Sequence, residues 1–307
     1  MDVRKRQLEE LDKRRKRIVY RMNQKPEIKY YTQSTNNESI NNDKAVIDSI
    51  NFVNKNKIES GNNPYFTILI TGYNSKEWCR RCFESVCSQN YKYFEIIYID
   101  AQSTDGSWDI ACEYARKFSY FTIFRNNIRQ YQVENILQGV KMTRNKTIIV
   151  SADSDDWFPD NEVLSRLSKY YTDNIWMTYG TFAEYPGMKS SLHNFGPYPE
   201  GVIRDNNFRG SRWQGSHLRT WRKELFLKIN EDDLKDLDGD YFKMAGDIAF
   251  MFPMLEMAGE HAKHILEVMY VYNLTNPLTE TKVNRDNVYR IEKLVRTRKV
   301  YQRLVSL

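Results

Sequence analysis

From Tyr65 onward, short apolar runs alternate with amphipathic stretches, while the first 64 residues hold no comparable strand-like run. Phe66 to Thr71, Tyr93 to Ile99 and the run ending Ile148-Ile149-Val150 are apolar on consecutive positions and rich in β-branched residues. That is how strands buried on both faces of a parallel sheet read. The spacing between them predicts helices over Glu77 to Gln89, Trp108 to Phe118 and Val133 to Met142, and a further strand near Phe121 to Phe124. This βαβαβαβ order predicts an α/β fold with a doubly wound, mostly parallel sheet and right-handed crossovers. Trp176 to Gly180 reads as another strand, followed by an aromatic-rich loop region that includes Tyr185, Phe195 and Tyr198. A helix opens at Asp247 and runs apolar to Met257, and a last helix spans Asn284 to Leu307, with Val288, Ile291, Val295 and Leu304 near one face.

The first 64 residues are different. Leu8, Leu11, Ile18 and Met22 recur at helical spacings, so residues 1–31 read as a basic helix with a narrow apolar seam. A linker rich in Asn, Ser and Thr follows, with a short helix carrying Ala45, Val46, Ile50 and Val53. The expected organisation is a basic arm (1–31), a polar linker (32–64), an α/β body (65–275) and a C-terminal helix (276–307).

Charge sharpens this division. Residues 1–31 hold eleven Lys/Arg against five Asp/Glu, a surplus equal to the +6 of the whole 307-residue chain, so the body is close to neutral. Such a basic helix could dock on its own body, pair with another copy, sit on an anionic membrane surface or follow a polyphosphate backbone. No apolar run approaches the roughly 20 residues of a membrane span, and no apolar h-region follows the basic start. A soluble, cytoplasmic protein is expected. Cys79, Cys82, Cys87 and Cys112 fall in predicted helices, which fits a reducing compartment, and the Cys79/Cys82 pair has no second pair to complete a zinc site.

Chemistry concentrates at strand ends. Thr71, Asp100 and Asp153 close successive parallel strands and should emerge along the carboxyl edge, where open α/β sheets bind ligands. The last strand ends in Asp153, Asp155 and Asp156, three carboxylates within four residues. Like charges so close must protonate, recruit a base or hold a divalent cation; no Lys or Arg lies in the next eight residues, and oxygen ligands suit Mg²⁺ or Mn²⁺. The competing reading is an acidic turn capping a helix that starts near Asn161. No GxGxxG follows the first strand and no P-loop is present, so a phosphate-bearing ligand would be held through metal and basic side chains.

Four ordered stretches, ILITGYN at 68–74, the Gln89-Asn90-Tyr91 turn, FEIIYIDAQSTDGS at 94–107 and ADSDDWFP at 152–159, resemble the motifs of family 2 glycosyltransferases with the GT-A fold. The resemblance covers roughly residues 65–273. It implies an inverting enzyme that moves a sugar from a nucleotide donor, commonly a UDP-sugar, to a hydroxyl. It also implies that Thr71, Tyr73 and Asp100 line the nucleotide pocket, that Asp153 contacts the ribose side and Asp155 the metal, and that Asp247 is the base. Arg129 is a pyrophosphate candidate on the same ground.

The pattern departs from the family where Ala101 follows Asp100, where Gly246 precedes Asp247, and where Asn273 stands in a region that supplies a His ligand in some relatives. The stretch 212–222 adds Trp213 for stacking on a sugar or base, His217 near metal or acceptor, and Arg219 or Arg222 for the diphosphate. Asp156 is a further candidate for metal or acceptor. His261 and His264 are expected to share a turn of surface helix. A glycan is the default acceptor, and possible homo-oligomer contacts run through the N-terminal helix. One alternative, motivated by the basic arm, is transfer to hydroxymethylated DNA bases, as in bacteriophage enzymes acting in a host cytoplasm; another is a non-catalytic sugar-nucleotide-binding module.

Overall fold

The computed structural model describes residues 30–32, 63–171 and 174–307. The helices expected within 1–31 and 45–53 lie outside the described residues. In chain order the elements are β1 (Tyr30–Thr32), β2 (Phe66–Gly72), α1 (Lys76–Cys87), β3 (Phe94–Asp100), α2 (Ser107–Lys117), β4 (Phe121–Arg125), α3 (Gln132–Met142), β5 (Ile148–Asp153) and α4 (Val163–Tyr170). The second half adds β6 (Met177–Tyr185), β7 (Lys189–Ser190), α5 (Glu200–Arg204), β8 (Arg219–Arg222), α6 (Lys223–Phe226), α7 (Gly246–Ala258), β9 (Ala262–Asn273), α8 (Glu280–Val283) and α9 (Arg285–Thr297).

One sheet runs β1-β4-β3-β2-β5-β8-β6-β7, and β9 pairs with β6. Strands β1 to β5 are mutually parallel, whereas β8 is antiparallel to both β5 and β6. The register sets the site. Gly72 lies beside Asp100 and Thr71 beside Asp153, so the polar strand ends meet along one edge. Side chains alternate across the sheet: Ile68, Ile70, Ile96, Tyr98 and Val150 pack under α1, α2 and α4, while Leu69, Ile97, Ile99 and Ile149 pack on α3, α7 and α9. Both faces are covered, which is why these strands are apolar without interruption.

Four expectations need correction. Residues 30–32, read as the junction of basic helix and linker, form an edge strand on β4. The strand beginning near Trp176 continues to Tyr185 because it gains β9 as a partner, so Tyr185 is not in a loop. His261 closes a 3₁₀ turn, stacked on Trp176, and His264 is a buried residue of β9, so they share no helix. The last helix stops at Thr297, and the tail beyond it packs irregularly, with the Leu304 N–H donating to Met257 O at 3.0 Å.

Helix α7 is apolar all round and, of its thirteen residues, only Asp247 is not buried, as expected for a helix inside a domain. Its far end is fixed by an ion pair within the core: Arg209 makes two bonds to Glu256, at 2.5 and 3.0 Å, and a third to Val295 O at 2.5 Å. The Tyr301 N–H also donates to Glu256 at 3.0 Å, so one carboxylate ties α7, α9 and the C-terminal tail together. Glu256 is fully buried. Arg209→Met should therefore lower stability by about 3–5 kcal/mol in urea unfolding, because it strands that charge, and adding Glu256→Leu should recover much of the loss.

Candidate active site

The strand ends open into a cleft of ≈ 500 Å³ that runs from Thr71 and Tyr73 past Asp153 and Asp155 to Asp247. Its size is typical of small-molecule sites. The chain reaches it through close approaches. Gly72 ends β2 directly against the Ser154 side chain, and a Cβ there would lie 2.8 Å from Tyr98 Oη. The Ser154 N–H donates to Thr71 O at 3.0 Å, and the Ser75 and Ser154 hydroxyls share a 2.6 Å bond, so the turn after β5 is stitched to the turn after β2.

Three carboxylates leave this turn in different directions. Asp153 accepts from Thr71 Oγ1 and Gln132 Nε2, both at 3.4 Å, while its own N–H donates to Tyr270 Oη at 2.9 Å. Asp155 accepts from Asn276 Nδ2 at 2.7 Å. Asp156 turns inward; its Oδ1 accepts the Asn273 N–H at 2.7 Å and its Oδ2 is buried with no hydrogen-bond partner among the described residues. Burial, with the Asp155 charge next, pushes Asp153 up to about 6, and burial drives Asp156 well above the usual carboxylate range.

His217 lies behind them, stacked on Tyr270 with ring centroids 4.5 Å apart. Burial and then Arg219 hold its pKa well below 6.5, so the imidazole is neutral, with Nδ1 unpartnered among the described residues. Donor atoms of Asp153, Asp156 and His217 lie within 4.8 Å of one another. An unpartnered buried carboxylate oxygen, raised carboxyl pKa values and a neutral imidazole form a donor set that fits a hard divalent cation such as Mn²⁺ or Mg²⁺.

At the other wall, Arg219 donates to Asp247 at 2.5 Å and to Gly215 O at 3.0 Å, while Asp247 Oδ1 accepts the Ile248 N–H at 2.9 Å. Asp247 sits in the first turn of α7, where the helix dipole favours a carboxylate, and its side chain remains 24% exposed to the cleft. Arg129 covers Tyr73 with its guanidinium 3.4 Å from the ring centroid. Trp213 lines the same cleft, braced edge-on against Phe252.

Most sequence candidates meet in this cleft, but three do not. Asp100 is fully buried; it accepts from Tyr98 Oη at 3.1 Å and Ser103 N at 2.8 Å and pairs with Arg125 at 3.4 Å, so it shapes the loop after β3 instead of lining the pocket. Asn273 is buried, its side-chain Oδ1 accepting from the Thr275 N–H and hydroxyl; Asn276, three residues on, reaches Asp155 in its place. Arg222 points away and donates to Ile175 O. Sequence reasoning missed Gln132, Asn276 and Glu280, which also line the cleft. Only the Asn-Pro turn at 276–277 carried a local signal.

Comparison with known proteins follows the same outline. A model described as "Glycosyl transferase family 2" matches residues 67–226. A Bacillus subtilis (strain 168) protein described as "Putative glycosyltransferase EpsH" is 34% identical over 133 residues, covering 40% of this chain and 36% of that protein, so the match spans about a third of its length. Among solved structures, Staphylococcus aureus TarS 1-349 in complex with UDP-GlcNAc gives a TM-score of 0.54 at 14% identity, over 75% of this chain and 65% of that one. The mannosyltransferase PcManGT from Pyrobaculum calidifontis, in complex with GDP-Man and Mn²⁺, gives 0.54 at 15%, over 85% and 76%. At these identities the structures establish a shared fold.

The buried acids make a direct prediction. Asp153 has its pKa raised from 3.8 to about 6, so the stability it contributes is full below about 3.8 and is lost as pH rises through about 6. In urea unfolding between pH 4 and 8, Asp153→Asn should be more stable than the parent at pH 8, by on the order of 1–2 kcal/mol, and the difference should shrink toward pH 4.

Proposed function

We propose that the chain, which belongs to glycosyl transferase family 2, is a transferase that moves a sugar with inversion from a nucleoside diphosphate donor, a UDP-sugar first, to a hydroxyl of an uncharged glycan. The observation that carries this reading is that Asp247 and the Asp153/Asp155 strand end line one cleft. Displacement at the anomeric carbon needs a base on one side of the sugar and charge stabilisation of the leaving group on the other.

Asp153 and Asp155, with Asp156 and His217 behind them, would hold a Mn²⁺ or Mg²⁺. When bound, that cation stabilises the negative charge that develops on the departing diphosphate. Tyr73 and Arg129 form a flat, cationic wall suited to the base and phosphates. Arg219 holds the Asp247 carboxylate in place from β8, through a fork also anchored on Gly215 O. Asp247 takes the proton of the acceptor hydroxyl as its oxygen bonds to the anomeric carbon, and the nucleoside diphosphate leaves with the electron pair. UDP-GlcNAc bound by TarS and GDP-Man bound by PcManGT support a nucleotide-sugar donor without fixing the base.

Charge favours a neutral acceptor over DNA. Asp153, Asp155, Asp156, Glu184, Asp247 and Glu280 line the cleft against two guanidiniums, Arg129 and Arg219, a poor surface for a phosphate backbone. Trp213 adds an apolar face of the kind on which a sugar ring can stack.

The test is transfer from UDP-GlcNAc, UDP-glucose and GDP-mannose to a panel of neutral oligosaccharides and to hydroxymethylated DNA. Asp247→Asn should lower kcat by about 10²–10⁴-fold with nucleotide binding retained. Undiminished turnover in that variant would remove Asp247 from the chemistry, and transfer to DNA alone would overturn the acceptor class.

A further inference from the structure

Asp247 meets the cleft because its helix starts where it does, and that start is held from outside the helix. Ala245, the residue before α7, sits at φ 50° and ψ 32°, the left-handed region. A residue with a Cβ pays about 1–2 kcal/mol to stay there, so the surrounding structure must over-determine it. One side is fixed by packing: Gly246 lies so close to α3 that a Cβ would stand 2.7 Å from Val133 Cγ2 and 3.1 Å from Gln132 Oε1. The Ala245 carbonyl is engaged within the helix by the Ala249 N–H at 3.4 Å.

Neither contact sets the direction of the Ala245 N–H. Glu280 does. Its Oε2 accepts that N–H at 2.7 Å from α8, thirty-five residues further along the chain. The placement is electrostatically unfavourable, since Glu280 faces Asp247 from α7 and Asp153 from β5, with Arg219 from β8 as countercharge. Burial, then these carboxylates, push its pKa up to about 7. A carboxylate kept in such surroundings stays there bonded to the N–H of a left-handed residue.

We propose that Glu280 is a positioning residue for Asp247: by accepting the Ala245 N–H it holds the left-handed residue from which α7 starts, and so fixes the direction in which the Asp247 carboxylate meets the acceptor hydroxyl. The inference rests on Asp247 being the base. Glu280 itself takes no proton in the reaction and touches no reacting atom.

Two readouts test it on the full chain: amide hydrogen exchange over residues 245–249, and release of UDP or GDP from UDP-GlcNAc, UDP-glucose and GDP-mannose. Glu280→Ala should speed exchange at Ala245 about tenfold and lower turnover about 10–100-fold, with the affinity for UDP or GDP unchanged. Glu280→Gln, which keeps an oxygen for the Ala245 N–H, should stay near the parent in both. Ala245→Gly in the Glu280→Ala background should recover much of the turnover, because glycine adopts the left-handed region without a Cβ penalty. Unchanged exchange in Glu280→Ala overturns the proposal, as does a Glu280→Gln as impaired as the alanine variant, or a glycine at 245 that recovers nothing. Asp247→Asn turning over like the parent would instead overturn the base assignment, whatever the exchange data show.

Discussion

Mutual repulsion among carboxylates at the end of a buried strand is the constraint around which this molecule is arranged. Asp153, Asp155 and Asp156 cannot separate, because β5 is locked in register between β2 and β8. The fold therefore disperses them: Asp156 inward to the Asn273 amide, Asp155 across the cleft to Asn276, and Asp153 between Thr71 and Gln132. Even so dispersed, burial raises their proton affinity, and a bound cation of the kind proposed would offset that cost.

As the proposed base, Asp247 has to be rigid and reachable at once; it rides on a helix whose every other residue is buried, and the Arg209–Glu256 pair fixes that helix at its far end. The segment after β9 connects the two walls. Asn276 holds Asp155 and Glu280 holds Ala245, so the contact with the acidic turn and the contact with the helix that presents Asp247 lie four positions apart in the chain.

The sheet and its polar edge were legible in the sequence because they follow from local pattern: apolar β-branched runs for β2, β3 and β5, and acids or Thr at their ends. Asp247 was legible as the first acid of an apolar helix. What pattern could not supply was the fate of each polar group. Asp100 looks like a pocket acid until Arg125, Tyr98 and Ser103 are seen to consume it. Glu280 looks like an unremarkable helix start, since its partner Ala245 is distant in sequence and is singled out by a backbone angle. The length of β6 and the end of α9 depended on tertiary partners, β9 for the one and the Glu256 clamp for the other, which periodicity does not encode.

The central claim is that the acidic strand end binds a nucleoside diphosphate through a divalent cation. Calorimetric titration of UDP and GDP into the full chain, with and without Mn²⁺, in the parent and in Asp155→Asn, addresses it most directly. Binding of one nucleotide should depend on Mn²⁺ and weaken at least about tenfold, roughly 1.4 kcal/mol, in the variant. Equal affinity without the cation and in Asp155→Asn, or no binding of either nucleotide, would contradict it.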